Sequence, residues 1–74
     1  MKNNQWITVT SSSLISGYKY DGVGNFDVEF KSNKAMYRYF DVMPFLVNSL
    51  DTENIGKEIK TKIIGGGFKY KRLY

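Results

Sequence analysis

A chain of 74 residues that carries a net charge of +4 and has neither Cys nor His excludes much chemistry at the outset. Disulfides, thiol nucleophiles, Cys/His zinc sites and a Ser-His-Asp triad are all ruled out, so neither a metal nor a cofactor is expected. Its length allows one domain, which buries only about 60% of its unfolded surface and so relies on each of its large side chains.

In chain order, residues 6–10 read as a first strand, with Trp6, Thr8 and Thr10 on one face and Ile7 and Val9 on the other. Ser11-Ser12-Ser13 interrupts it. Those hydroxyls suit a turn that satisfies loose backbone groups, or a cluster of donors for a phosphate. Residues 14–20 form the second strand, with Leu14, Ser16, Tyr18 and Tyr20 on one face, and Gly17 marks a bulge or a close backbone approach. Asp21-Gly22-Val23-Gly24-Asn25 is a turn with a left-handed option.

Residues 26–40 form the hairpin that organises the chain. Phe26, Val28 and Phe30 alternate with Asp27, Glu29 and Lys31, so the apolar set faces a core and the charged set faces water. Ser32-Asn33-Lys34 supplies the turn, with Asn33 suited to a left-handed backbone, and the return strand runs through the aromatics Tyr37, Tyr39 and Phe40. Then the period changes. Pro44 suits the first turn of a short helix that carries Phe45, Leu46, Val47 and Leu50. A second helix, capped by Asp51 or Asn54, places Ile55, Ile59 and Ile63 at successive i+4 positions to pack on the sheet. Lys57 and Lys60 lie opposite that stripe, and Lys62 flanks it and must snorkel. Gly65-Gly66-Gly67 stops the helix, and residues 68–74 are either a fifth, edge strand or a mobile basic arm. The whole predicts a small α+β domain over residues 1–74: an antiparallel β-meander of four or five strands packed on one face by two short helices.

Charge is unevenly spread. Residues 1–56 carry five basic and six acidic side chains, whereas residues 57–74 carry six basic side chains against Glu58 alone. That basic quarter is a candidate footprint for anions. The N-terminus has no apolar leader run and no segment approaches the ~20 apolar residues of a membrane span, so a soluble cytoplasmic protein without a membrane partner is expected.

The ordered set of Trp6, Val9, a serine turn, Gly17-Tyr18, Val28-x-Phe30, Tyr37-x-Tyr39, Val42-x-Pro44, Ile55-Gly56-Lys57, Ile63 and an aromatic-basic tail resembles the KTSC domain over residues 6–72. That family occurs at the C-terminus of some lysyl-tRNA synthetases and as free-standing small proteins, including in phages. The resemblance implies a binding domain for RNA. Asn54 departs from the family, which often carries Ser there.

Several constellations are candidates for the site. Tyr37 and Tyr39 share a strand face as a base-stacking platform, with Arg38 on the other face as a phosphate fork; the same pattern suits a strand with one core face and one solvated flank. Asp27 and Glu29 fit a solvated outer face better than an acid/base pair, and Lys31 and Lys34 fit a solubilising hairpin end. Gly56-Lys57 fails as a phosphate loop: Asp51 stands where the pattern needs Gly, and Glu58 where it needs Ser or Thr. The helix start from Asn54 to Lys57 still offers amides to an anion. Lys69, Tyr70, Lys71 and Arg72, with Lys57 and Lys60, interleave charge and rings as nucleic-acid surfaces do, or form a plain solubilising tail.

No catalytic set emerges. The leading expectation is a non-catalytic module that binds RNA or nucleotide phosphodiesters through the basic tail and exposed tyrosines. Two alternatives stand beside it. One is a phage-type anti-defence homo-oligomer that sequesters a nucleotide immune signal; the other is a protein-interaction module docking through an edge strand or the tail.

Overall fold

The computed structural model describes residues 5–74. Residues 1–4, part of the stretch read above for a leader, lie outside the described residues. Alternating stretches become strands β1 (Ile7–Thr8), β2 (Ile15–Tyr20), β3 (Phe26–Phe30), β4 (Met36–Tyr39) and β5 (Tyr70–Arg72). They pair antiparallel in one five-stranded sheet, in the order β1-β2-β3-β4-β5. β3 lies at its centre. Tyr20, Phe26 and Tyr39 align across three strands, as do Tyr18, Val28 and Tyr37, and residues directly opposite one another share a face. That shared face is the core. Phe26 and Val28 are fully buried there with Ile15, Val42, Ile59 and Ile63.

The turns follow their local chemistry. Asp21 Oδ1 accepts the amides of Val23, Gly24 and Asn25 at 2.9, 2.9 and 3.0 Å, and Gly22 takes a left-handed φ of 88°. Burial pushes the Asp21 carboxyl up, but these amides and the Asn25 side chain outweigh it and hold the group below its ordinary value. In the β3–β4 turn the left-handed position is Lys34, at φ 60°, and not Asn33. Asn33 instead uses its side-chain oxygen to accept the Ala35 amide at 3.0 Å, an Asx contact that closes the turn from the preceding residue.

β2 departs from simple alternation. Its register shifts between Ile15 and Gly17: Ile15 pairs with Phe30, Gly17 with Glu29, and Ser16 is the extra residue of a bulge. The bulge reverses the phase, so Ile15, and not Leu14, shares the face of Tyr18 and is fully buried, while Leu14 packs at the margin of the core. Ser16 swings to the far face, where its hydroxyl donates to Glu29 Oε1 at 2.8 Å. Gly17 is also a point of close approach, because a Cβ there would overlap the Trp6 indole. Gly17→Ala should therefore lift the ring off the sheet. The expected result is a red shift in emission from the only tryptophan, with about 1–2 kcal/mol lost in urea unfolding. An unshifted spectrum would mean that Trp6 does not rest on Gly17 in solution.

The helical layer covers the core face. α1 (Pro44–Asn48) starts with Pro44 in its first turn, and α2 (Ile55–Lys62) follows a 3-10 turn at Thr52–Asn54. Asp51 rather than Asn54 caps that turn, accepting the Glu53 amide at 3.0 Å. Ile55, Ile59 and Ile63 join Phe26, Val28, Tyr18 and Tyr39 in one apolar cluster, so the i+4 stripe packs as its spacing predicts. Lys62 reaches back to Glu58 at 2.9 Å, while Phe45 of α1 stays largely exposed. Gly67, left-handed at φ 82°, ends the helical segment and lets the chain return along β4. The tail is thus an edge strand, extended past β5 by the Leu73 amide on Met36 O at 2.7 Å and the Met36 amide on Tyr74 O at 3.0 Å. Among the described residues no helix is long and apolar enough to cross a membrane.

Candidate functional site

Pairing of β5 with β4 decides which tail residues meet which tyrosines. Tyr37 lies opposite Arg72, Arg38 opposite Lys71, and Tyr39 opposite Tyr70. The three tyrosines and Arg72 therefore share the core face of the sheet, at its β5 edge. Ring centroids place Tyr70 5.7 Å from Tyr37 and 5.6 Å from Tyr39, and Phe30 lies 5.5 Å behind Tyr37. The helical layer does not close over this edge, since Tyr70 remains 62% exposed. Lys69, Lys71 and Arg72 are exposed beside it.

The expected Tyr37–Tyr39 platform is thereby redistributed. Tyr39 is only 4% exposed and belongs to the core, where it aligns with Phe26 and lies against Tyr70. Desolvation, and then the nearby Tyr70 and Tyr37 hydroxyls, hold its phenol above the ordinary value, so it stays neutral. Tyr37 is half-buried. The ring open to a ligand is Tyr70, with Tyr37 and Tyr39 as its backing.

On the opposite face, register lines up Lys19, Asp27, Arg38 and Lys71 across four strands. Arg38 grips Asp27 with both arms of its fork, Nε to Oδ1 at 2.8 Å and Nη2 to Oδ2 at 3.0 Å. These hydrogen bonds to Asp27 hold the guanidinium above its ordinary pKa despite partial burial. The fork expected to hold phosphate is thus occupied from within. Asp27 in turn is only 2% exposed, which corrects the reading of it as a solvated flank: Arg38 covers its carboxylate from the neighbouring strand. Glu29, half-buried, accepts from Ser16.

Lys57 and Lys60 do not join the tail. They line a cleft of ≈ 380 Å³ between α2 and the Ser11-Ser12-Ser13 loop. That loop links β1 to β2, so about 14 Å of sheet, the width of three strand spacings, separates it from β5. Ser12 has the turn role expected of the triplet, since its Oγ accepts the amides of Leu14 at 3.0 Å and Ile15 at 3.3 Å. It also packs on Gly56 so closely that a Cβ there would collide with it. Gly56 is therefore a contact point of α2 on the loop. Lys31, read from sequence as a solubilising residue, donates its amine to the Ser12 carbonyl at 2.5 Å. No local signal connects two residues so far apart in the chain. No protein-family model, curated protein or solved structure matches this chain.

Proposed function

We propose that this chain is a non-catalytic module that binds single-stranded RNA or nucleotide phosphodiesters at its β4–β5 edge. One observation carries the reading: the exposed Tyr70 ring is backed by Tyr37 and flanked by Arg72, with Lys69 and Lys71 on the same edge. A base stacks on an open aromatic face for about 1–3 kcal/mol, and neighbouring cations attract the phosphates on either side of it. A backed ring loses little further freedom on binding, which favours stacking. The resemblance to the KTSC domain points to the same class of ligand. Arg38 and Tyr39 act in this reading as supports, one joining β3 to β4 and the other lying beneath Tyr70.

Fluorescence anisotropy with end-labelled oligouridylate tests the proposal. Tyr70→Ala should weaken binding by about 1–3 kcal/mol. Neutralising Lys69, Lys71 and Arg72 to Gln should make the slope of log affinity against log salt shallower by about two, at roughly 0.7 per lost single-strand phosphate contact. All of these side chains are exposed, so circular dichroism should show an unchanged fold. Affinity that does not grow with strand length would assign the edge to a single nucleotide, and sizing chromatography of the complex would then show whether an oligomer encloses it. Undiminished binding by both variants would remove the β4–β5 edge from the function.

A further inference from the structure

The cleft at the other side of the sheet has a chemistry of its own. The exposed hydroxyls of Ser11 and Ser13 line one wall, and the exposed amines of Lys57 and Lys60 line the other. Neither lysine forms an ion pair among the described residues, where the ion pairs found engage Arg38 and Lys62. Lys31, bonded to the Ser12 carbonyl, adds a third ammonium group behind the loop. Against these cations the lining offers a single carboxylate, that of Glu53. Two separate segments therefore bring hydroxyl donors and positive charge to one concave place, and a third places Lys31 behind the loop.

We infer that this cleft binds a phosphate group, free or at the terminus of a nucleotide. Hydroxyl and ammonium donors approach from two walls, which suits a tetrahedral oxyanion with several acceptor oxygens. A planar carboxylate is matched best by an arginine fork, and no arginine lines the cleft. The loop that presents Ser11 and Ser13 is held in shape by Ser12, whose Oγ anchors two backbone amides and whose side chain rests on Gly56. The side chains of the two walls make the site. A volume of ≈ 380 Å³ leaves room for the ester group that a phosphate carries. This site is separate from the β4–β5 edge and does not rest on the function proposed for it.

Titration of the full chain with inorganic phosphate, followed by amide chemical shifts, tests the inference. Saturable shifts are expected at Ser11, Ser13 and Lys57. The double variant Lys57→Gln/Lys60→Gln should weaken binding at least about tenfold, as loss of charge-assisted hydrogen bonds does. Ser11→Ala/Ser13→Ala should weaken it several-fold, and it provides an independent reading if the lysine variant folds poorly. Tyr70→Ala should bind phosphate as the wild type does, which separates this site from the edge. A second arm with adenosine 5′-monophosphate identifies the source: tighter binding than phosphate assigns the cleft to a nucleotide terminus, and equal binding to the free anion. Absence of saturable shifts in the wild type, or wild-type affinity in both double variants, would overturn the site.

Discussion

Phe26→Ala is expected to leave little folded protein at room temperature. The side chain is fully buried at the start of the central strand, with Tyr20 and Tyr39 directly opposite it on the two neighbouring strands. Its ring is stacked on Tyr18, with centroids 5.4 Å apart and planes 7° from parallel, and lies 6.0 Å from Tyr20. Truncation removes the layer that joins three strands to the isoleucine stripe of α2 and leaves a cavity. Such losses cost about 3–5 kcal/mol, and the single core of a domain this small supplies a net stability of only roughly 3–5 kcal/mol. Urea unfolding followed by circular dichroism should show a midpoint near zero denaturant. Phe30, two residues further along the same face, is only half-buried and should cost distinctly less when truncated. Equal losses at the two positions would mean that the core is not centred on Phe26.

Arg38→Met is the second large effect. Asp27 sits on the sheet face away from the helices, yet only 2% of it is exposed. Arg38 is what makes that burial tolerable. Removing one partner of a buried pair strands the other charge, at about 3–5 kcal/mol. Because the Arg38 side chain is itself 36% exposed, water can reach part of the gap, and a loss near 3 kcal/mol is expected. Replacing both partners, Asp27→Leu with Arg38→Met, should recover much of it, because an apolar pair leaves no charge without a partner. A double-mutant cycle in urea separates the two contributions. A coupling below about 1 kcal/mol would show the pair to be solvent-screened, as surface bridges are.

Both variants also bear on function. Phe26 and Arg38 fix the positions of β3 and β4, and β4 sets the register of β5 through Tyr37, Arg38 and Tyr39. Loss of Phe26 should unfold edge and cleft together, whereas Arg38→Met should loosen the Tyr70 edge more than the serine–lysine cleft, whose walls come from the β1–β2 loop and α2.

Part of this fold is written in what consecutive residues can express. A two-residue period placed Phe26 and Val28 inward, because successive strand side chains alternate faces. A four-residue spacing brought Ile55, Ile59 and Ile63 onto one side of a helix. Asp21 made its own turn through its own side chain, and Pro44 marked the first turn of α1. These are local interactions, and their rules need no partner.

The rest depended on contacts between distant parts of the chain. The bulge at Ser16 put Ile15 in place of Leu14 on the face of Tyr18, because pairing with Phe30 and Glu29 sets the register, and a one-residue slip reverses every face. Whether residues 70–72 form a strand depended on an edge offered by β4, more than thirty positions earlier in the chain. Asp27 and Glu29 look alike as alternating outward charges, but only Asp27 has Arg38 across from it, and so only Asp27 could be buried. The basic residues that form one group along the chain belong to two places. Lys57 and Lys60 ride on α2 toward the serine loop, while Lys69, Lys71 and Arg72 follow β5 to the opposite edge. Charge along a sequence counts cations; chain folding sets the distances between them, and Coulomb attraction to a ligand depends on those distances.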